Sequence, residues 1–101
     1  MRSLHLEPNM SLDRGLYVLE FSLRYCGNCR AMLSRLKELE DEMGFPLVQI
    51  DIELMPLVAR NFRITVVPIV ILIQDGIELG RMEGSFDKPE IRSWLLGFDV
   101  L

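Results

Sequence analysis

The sequence predicts an α/β fold, a central mixed β-sheet flanked by helices on both faces, formed as a single domain over residues 1–101. Three observations carry this expectation. Short apolar runs alternate with amphipathic segments, the order that packs helices onto a sheet. The run Leu16-Tyr17-Val18-Leu19-Glu20-Phe21-Ser22 shows no clean alternation of apolar and polar positions, as expected of a strand covered on both faces. Asp75-Gly76 separates two strand-like runs and is the strongest hairpin signal in the chain, so part of the sheet is antiparallel.

The elements follow in order. Arg2 to Leu6 reads as a short first strand, ended by Glu7-Pro8-Asn9, and Met10 to Gly15 as a single helical turn. Leu16 to Ser22 is the central strand, with Glu20 as its odd polar member. From Ala31 to Met43 the period becomes helical. Met32, Leu36, Leu39 and Met43 share one face, and Arg35, Lys37, Glu38, Glu40, Asp41 and Glu42 cover the rest. Gly44 stops the helix and Pro46 follows. Leu47 to Ile52 is a strand, and Pro56 opens a short helix with Leu57, Val58, Arg60 and Phe62 around it. A strand, a helix and a strand in this span make a right-handed parallel crossover. Ile69 to Gln74 and Ile77 to Met82 form the hairpin, and Gly84 breaks it. Asp87-Lys88-Pro89-Glu90 caps a last helix whose apolar face is Ile91, Trp94, Leu95 and Phe98, with Gly97 at its end.

Composition narrows the function classes. Half of the 101 residues are hydrophobic, enough to bury a core without staples. The most apolar run, Ile64 to Ile73, is broken by Pro68 and is about half the length of a bilayer crossing, so no membrane span is expected. The N-terminus lacks the apolar core of a secretory signal, and the chain as written reads as cytoplasmic; a mature chain whose leader was removed would look the same. With a net charge of −4 and no basic stripe, it is not expected to bind nucleic acid.

The chemistry lies in Tyr25-Cys26-Gly27-Asn28-Cys29-Arg30, which holds both cysteines of the chain between a strand and a helix. Two thiols spaced as Cys-x-x-Cys at such a junction indicate redox chemistry. A purely structural bridge would close a tiny loop and stabilise little. Tetrahedral zinc wants four ligands, and Cys26, Cys29 and His5 leave such a site one short without a second subunit, so no metal is expected.

The set Cys26-Gly27-Asn28-Cys29 at a strand-to-helix junction, Val67-Pro68 before a strand, Asp75-Gly76 in the hairpin and Gly84 just after it resembles the thioredoxin family over nearly the whole chain. Phe21 and Glu20 also fall where that family carries an aromatic and an acidic residue. The resemblance implies a thioredoxin-like fold. It makes Cys26 the exposed nucleophile and Cys29 the resolving thiol. Pro68 is implied to have a cis bond with Val67 and to lie against the cysteines. Glu20 corresponds to the buried acid that exchanges a proton with Cys29, and Gly84 lets a substrate chain approach. The chain departs from the family's common pattern at Asn28 (proline), Tyr25 and Ser22 (tryptophan) and Ser34 (the helix-kinking proline). The position of the basic partner of the buried acid falls at the neutral Leu47.

These residues suit a protein thiol–disulfide oxidoreductase. The attacking species is a thiolate, and a helix N-terminus stabilises it, with Arg24 and Arg30 flanking the pair. Asn28 leaves a backbone N–H that proline would remove. A carboxyl buried without a cation holds a proton near neutral pH and can act as the base for Cys29. The expected partners are protein disulfides, held as an added strand on the backbone of Val67 within a rim of Tyr25, Val66 and Ser85-Phe86, and a separate reductase or thiol donor. The expected chain is a monomer with no bound cofactor beyond the Cys26–Cys29 pair. The alternative is a non-catalytic binding or redox-sensing module on the same fold.

Overall fold

A computed structural model describes residues 4–5 and 11–101. Strands β1 (Leu4–His5), β2 (Leu16–Ser22), β3 (Leu47–Asp51), β4 (Ile69–Gln74) and β5 (Ile77–Glu83) form one sheet in the order β1-β3-β2-β4-β5. β3 runs parallel to both β1 and β2, while β4 runs antiparallel to β2 and to β5. The remainder of the Arg2–Leu6 strand and Glu7-Pro8-Asn9 lie outside the described residues.

Helices α1 (Gly27–Met43) and α3 (Lys88–Leu96) cover one face, and α2 (Pro56–Asn61) covers the other. β2 therefore has two buried faces, which is why its sequence does not alternate. Val18 packs with Met32, Leu36, Leu39, Val70, Leu72, Ile91 and Leu95 on the α1 side. Leu19 and Phe21 pack with Val48, Ile50, Ile69 and Ile71 on the other, where Val58 and Phe62 close the layer. Trp94 is half-buried against the α1-side cluster, its ring edge-on to Phe98 at 5.1 Å.

Three expectations are corrected. α1 begins at Gly27, not Ala31, because Cys26 supplies its N-cap. Residues 11–15 bend and form no helical turn. The chain there is tied to the distant hairpin: the Gly15 N–H donates to Asp75 Oδ1 at 2.9 Å, and the Asp75 N–H donates to the Gly15 carbonyl at 3.0 Å. Those bonds fix the entry to β2 and leave no room for helical pairing. Glu40 is buried, not part of the solvated face of α1. Its Oε2 accepts the Leu47 N–H at 2.9 Å, across the turn that Gly44 opens in a left-handed conformation. The Pro46 carbonyl accepts the Val18 N–H at 2.9 Å, so the α1–β3 turn is fastened to the central strand.

The ends of the last elements follow sequence signals. Asp75 and Gly76 both have positive φ, the geometry of a tight hairpin turn. Asp87 and Glu90 form a capping box at the start of α3.

Replacing Glu40 by Ala leaves the Leu47 N–H buried without its acceptor. We expect a loss of about 2 kcal/mol in urea unfolding with the denaturant slope unchanged, and a smaller loss for Glu40→Gln, which keeps an acceptor oxygen.

Candidate active site

β2 ends at Ser22, and after a short turn the Cys26 N–H donates to the Leu23 carbonyl at 3.2 Å. α1 then starts at once. Packing of α1 against the sheet holds its first turn at the carboxyl end of the central strand. Cys26 and Cys29 are joined as a disulfide with Cα atoms 5.2 Å apart. Cys26 is the N-cap: its Sγ accepts the Cys29 N–H at 3.1 Å, and its carbonyl accepts the Arg30 N–H at 3.2 Å. A sulfur thus takes the place that an oxygen usually holds at a helix start. The two cysteines differ in access, since Cys26 is partly exposed and Cys29 is 2% exposed. Gly27 and Asn28 are exposed, and nothing lies within 4 Å of the space a Gly27 side chain would enter.

Glu20 lies on the α1 face of β2, with Gln49 of β3 and Val70 of β4 as its register neighbours. It is fully buried, and among the described residues neither carboxyl oxygen has a hydrogen-bond partner. Burial pushes its pKa up from 4.5 to about 8, while the charge of Lys37 on α1 pulls weakly the other way. The register also corrects the sequence reading of its neighbour. Leu47 pairs with Val18, so the β3 residue beside Glu20 is Gln49. That position is neutral too, and its amide donates to Ser22 Oγ at 3.4 Å.

Pro68 is buried and follows a cis peptide bond from Val67. Because Phe21 pairs with Ile69, Pro68 stands at the same end of the sheet as Cys26. Its carbonyl accepts the Gly84 N–H at 2.9 Å, and Gly84 has a φ of 102° with open space on its Cβ side. Among the described residues, neither the N–H nor the carbonyl of Val67 is taken by another backbone group. Tyr25 is 83% exposed, with the Arg24 guanidinium 5.5 Å from its ring centre.

A model of the thioredoxin family matches residues 7–96. The chain belongs to the thioredoxin family. It is 30% identical over 82 residues to a thioredoxin of Chlamydia muridarum, covering 80% of each chain. Against a thioredoxin of Chlamydia caviae it is 30% identical over 84 residues, covering 82% of each. Among solved structures it is similar to a mutant thioredoxin from Halobacterium salinarum, with a TM-score of 0.87 at 18% identity over 98% of this chain and 92% of that one. At that identity the likeness is one of fold. A thioredoxin from Nicotiana alata gives a TM-score of 0.75 at 26% identity over 83% of this chain and 73% of the other.

The thioredoxin fold with a paired Cys-x-x-Cys makes this chain a thiol–disulfide oxidoreductase. Two exposed apolar residues were given no role at the site by the sequence reading, Leu57 being named there only as part of the short helix. Leu54 and Leu57 follow β3, which ends beside the end of β2 because the two strands run parallel. The signal was available, since two leucines just after a strand lie outside any strand or long helix pattern. Among the described residues, no three His, Cys, Asp or Glu side chains gather as a metal cluster, and no helix is long and apolar enough to cross a membrane.

Glu20 binds its proton more tightly in the folded chain than in the unfolded one. Stability is therefore complete below the unfolded value of 4.5 and falls as pH rises toward about 8. One unit is worth about 1.4 kcal/mol, so the loss is on the order of several kcal/mol. We expect Glu20→Gln to match the parent near pH 4, to exceed it above pH 8, and to flatten the pH dependence of urea unfolding in the oxidised form.

Proposed function

We propose that this thioredoxin-family chain reduces disulfides in protein substrates, with Cys26 as the attacking thiol and Cys29 as the resolving thiol. The observation that carries the assignment is the asymmetry of the pair. Cys26 reaches solvent and caps α1 with its sulfur, while Cys29 is enclosed. In the reduced protein the Cys26 thiolate attacks one sulfur of the substrate disulfide and releases the other as a thiolate. Cys29, as thiolate, then attacks the Cys26 sulfur of the mixed disulfide. The second substrate thiolate leaves, two electrons have passed to the substrate, and Cys26–Cys29 is oxidised. The N-terminal field of α1 and the N–H at Cys29 favour negative charge on Cys26 over Cys29.

Glu20 takes the proton from Cys29 before resolution. Its full burial and its pKa of about 8 support this, because such a group exchanges protons near neutral pH. The free backbone groups of Val67 pair with an extended substrate segment beside Pro68, Gly84 gives that segment room, and Tyr25, Gly27 and Asn28 border the attacked bond. We infer a monomer of the cytoplasm that uses no bound cofactor and is reduced again by a separate reductase or thiol donor.

Reduction of insulin with dithiothreitol as electron source tests the reading. The parent chain accelerates it, Cys26→Ser returns it to the uncatalysed rate, and Cys29→Ser accumulates a mixed disulfide on Cys26. A parent chain without acceleration points instead to a binding or redox-sensing module. In rapid-mixing experiments Glu20→Gln slows release of the mixed disulfide by on the order of tenfold or more while sparing its formation; equal slowing of both steps removes Glu20 from proton transfer.

A further inference from the structure

The loop after β5 carries a clasp that the proposed chemistry does not use. Phe86 has both of its backbone polar groups held by side chains of α1. Its N–H donates to the sulfur of Met32 at 3.2 Å, and its carbonyl accepts Arg35 Nη1 at 2.8 Å. The same Arg35 nitrogen lies 3.2 Å from Ser85 Oγ and 3.8 Å from the Met32 sulfur. Met32 is fully buried one turn after Cys29, and Arg35 follows a turn later. At its other end the loop is tied by the Gly84 N–H to the carbonyl of Pro68.

The stretch Gly84–Phe86 thus spans two fixed points. One is the proline preceding β4, and the other is the helix that carries Cys29. We propose that Arg35, backed by Met32, is a positioning residue for substrate specificity: it sets the distance between the Gly84–Phe86 edge and the Cys26–Cys29 pair, and so selects extended protein segments over small disulfides.

A substrate strand lying on Val67 reaches the cysteines only if the neighbouring loop leaves a slot of fixed width. The loop is otherwise held by the Phe86 side chain, which packs against the α1-side core, while Ser85 is exposed and Gly84 meets nothing on its Cβ side. A charged N–H donor on a carbonyl is among the stronger neutral-acceptor hydrogen bonds. The guanidinium bridges Ser85, Phe86 and Met32 at once, which a shorter or apolar side chain cannot do. A small disulfide has no flanking chain to place in the slot and is indifferent to its width. Arg35 touches no reacting atom in this scheme and acts only through the loop.

The inference rests on the proposed reduction of protein disulfides, and its test separates the two. Arg35→Met keeps the apolar stem and removes every donor, and Arg35→Lys restores one donor for the Phe86 carbonyl. The readout is the ratio of kcat/KM for insulin to kcat/KM for dithiobis(nitrobenzoate). We expect Arg35→Met to lower the ratio about fivefold or more, through KM for insulin, and Arg35→Lys to raise it again above the Met variant. Hydrogen exchange at the Phe86 amide quickens in Arg35→Met. An unchanged ratio, no recovery with Lys, or unchanged exchange overturns the inference while leaving insulin reduction by the parent chain intact. A parent chain that does not reduce insulin overturns the functional reading and this inference together.

Discussion

Burial of β2 on both faces is the constraint on which the rest of this structure depends. The strand lies between β3 and β4 and between two helical layers. Its residues from Val18 to Ser22 are all buried, so the end of the strand is a fixed point and not a flexible exit. α1 starts soon after, at Gly27, and Pro68 is set at the same end by the antiparallel register of β4. Water is excluded from Glu20 by the same packing. The site is therefore a consequence of how the core closes, and its parts come from segments far apart in the chain.

At that fixed point two chemically identical residues have become different. The first cysteine lies outside the helix and uses its sulfur to accept an N–H that would otherwise be unpaired. The second lies inside the first turn, under the helix, where a charge has few donors and little water. Burial alone disfavours thiolate on Cys29, and the helix terminus alone favours it on Cys26. No flanking cation is required for this division. Arg24 lies against the Tyr25 ring, and Arg30 is exposed.

The sheet, the hairpin and the capping box were legible because each rests on local pattern. The contributions that were not legible depend on partners that no local pattern names, several of them far along the chain. Helical periodicity is silent before Ala31, since of Gly27, Asn28, Cys29 and Arg30 only Cys29 faces the core. A cysteine as helix cap has no sequence signal apart from the helix it begins. Glu40 reads as a solvated carboxylate until the turn to β3 brings the Leu47 N–H against it. The bend at residues 11–15 depends on Asp75, and the hold on Phe86 depends on Met32 and Arg35. Parallel register is equally hidden. The sequence can say that a strand follows α1, but only the pairing of Glu20 with Gln49 says which side chain stands beside the buried acid.

That neighbour bears on how the reaction is coupled to protons. A cation beside Glu20 would hold the carboxylate ionised and lower its pKa, which would weaken it as a base. Gln49 offers an amide instead, and Lys37 acts from an exposed position on α1, so desolvation dominates and the carboxylate, when ionised, is a stronger base than an ordinary one. In the proposed cycle this has a further effect. Ionised Glu20 and a Cys29 thiolate would be two like charges in one dry layer, and each would raise the other's pKa. A single proton shared between them avoids that repulsion, because its transfer from Cys29 to Glu20 leaves one negative charge and not two. The carboxyl that costs the fold stability at alkaline pH is thus suited to accept the proton at the moment the second thiol must become nucleophilic.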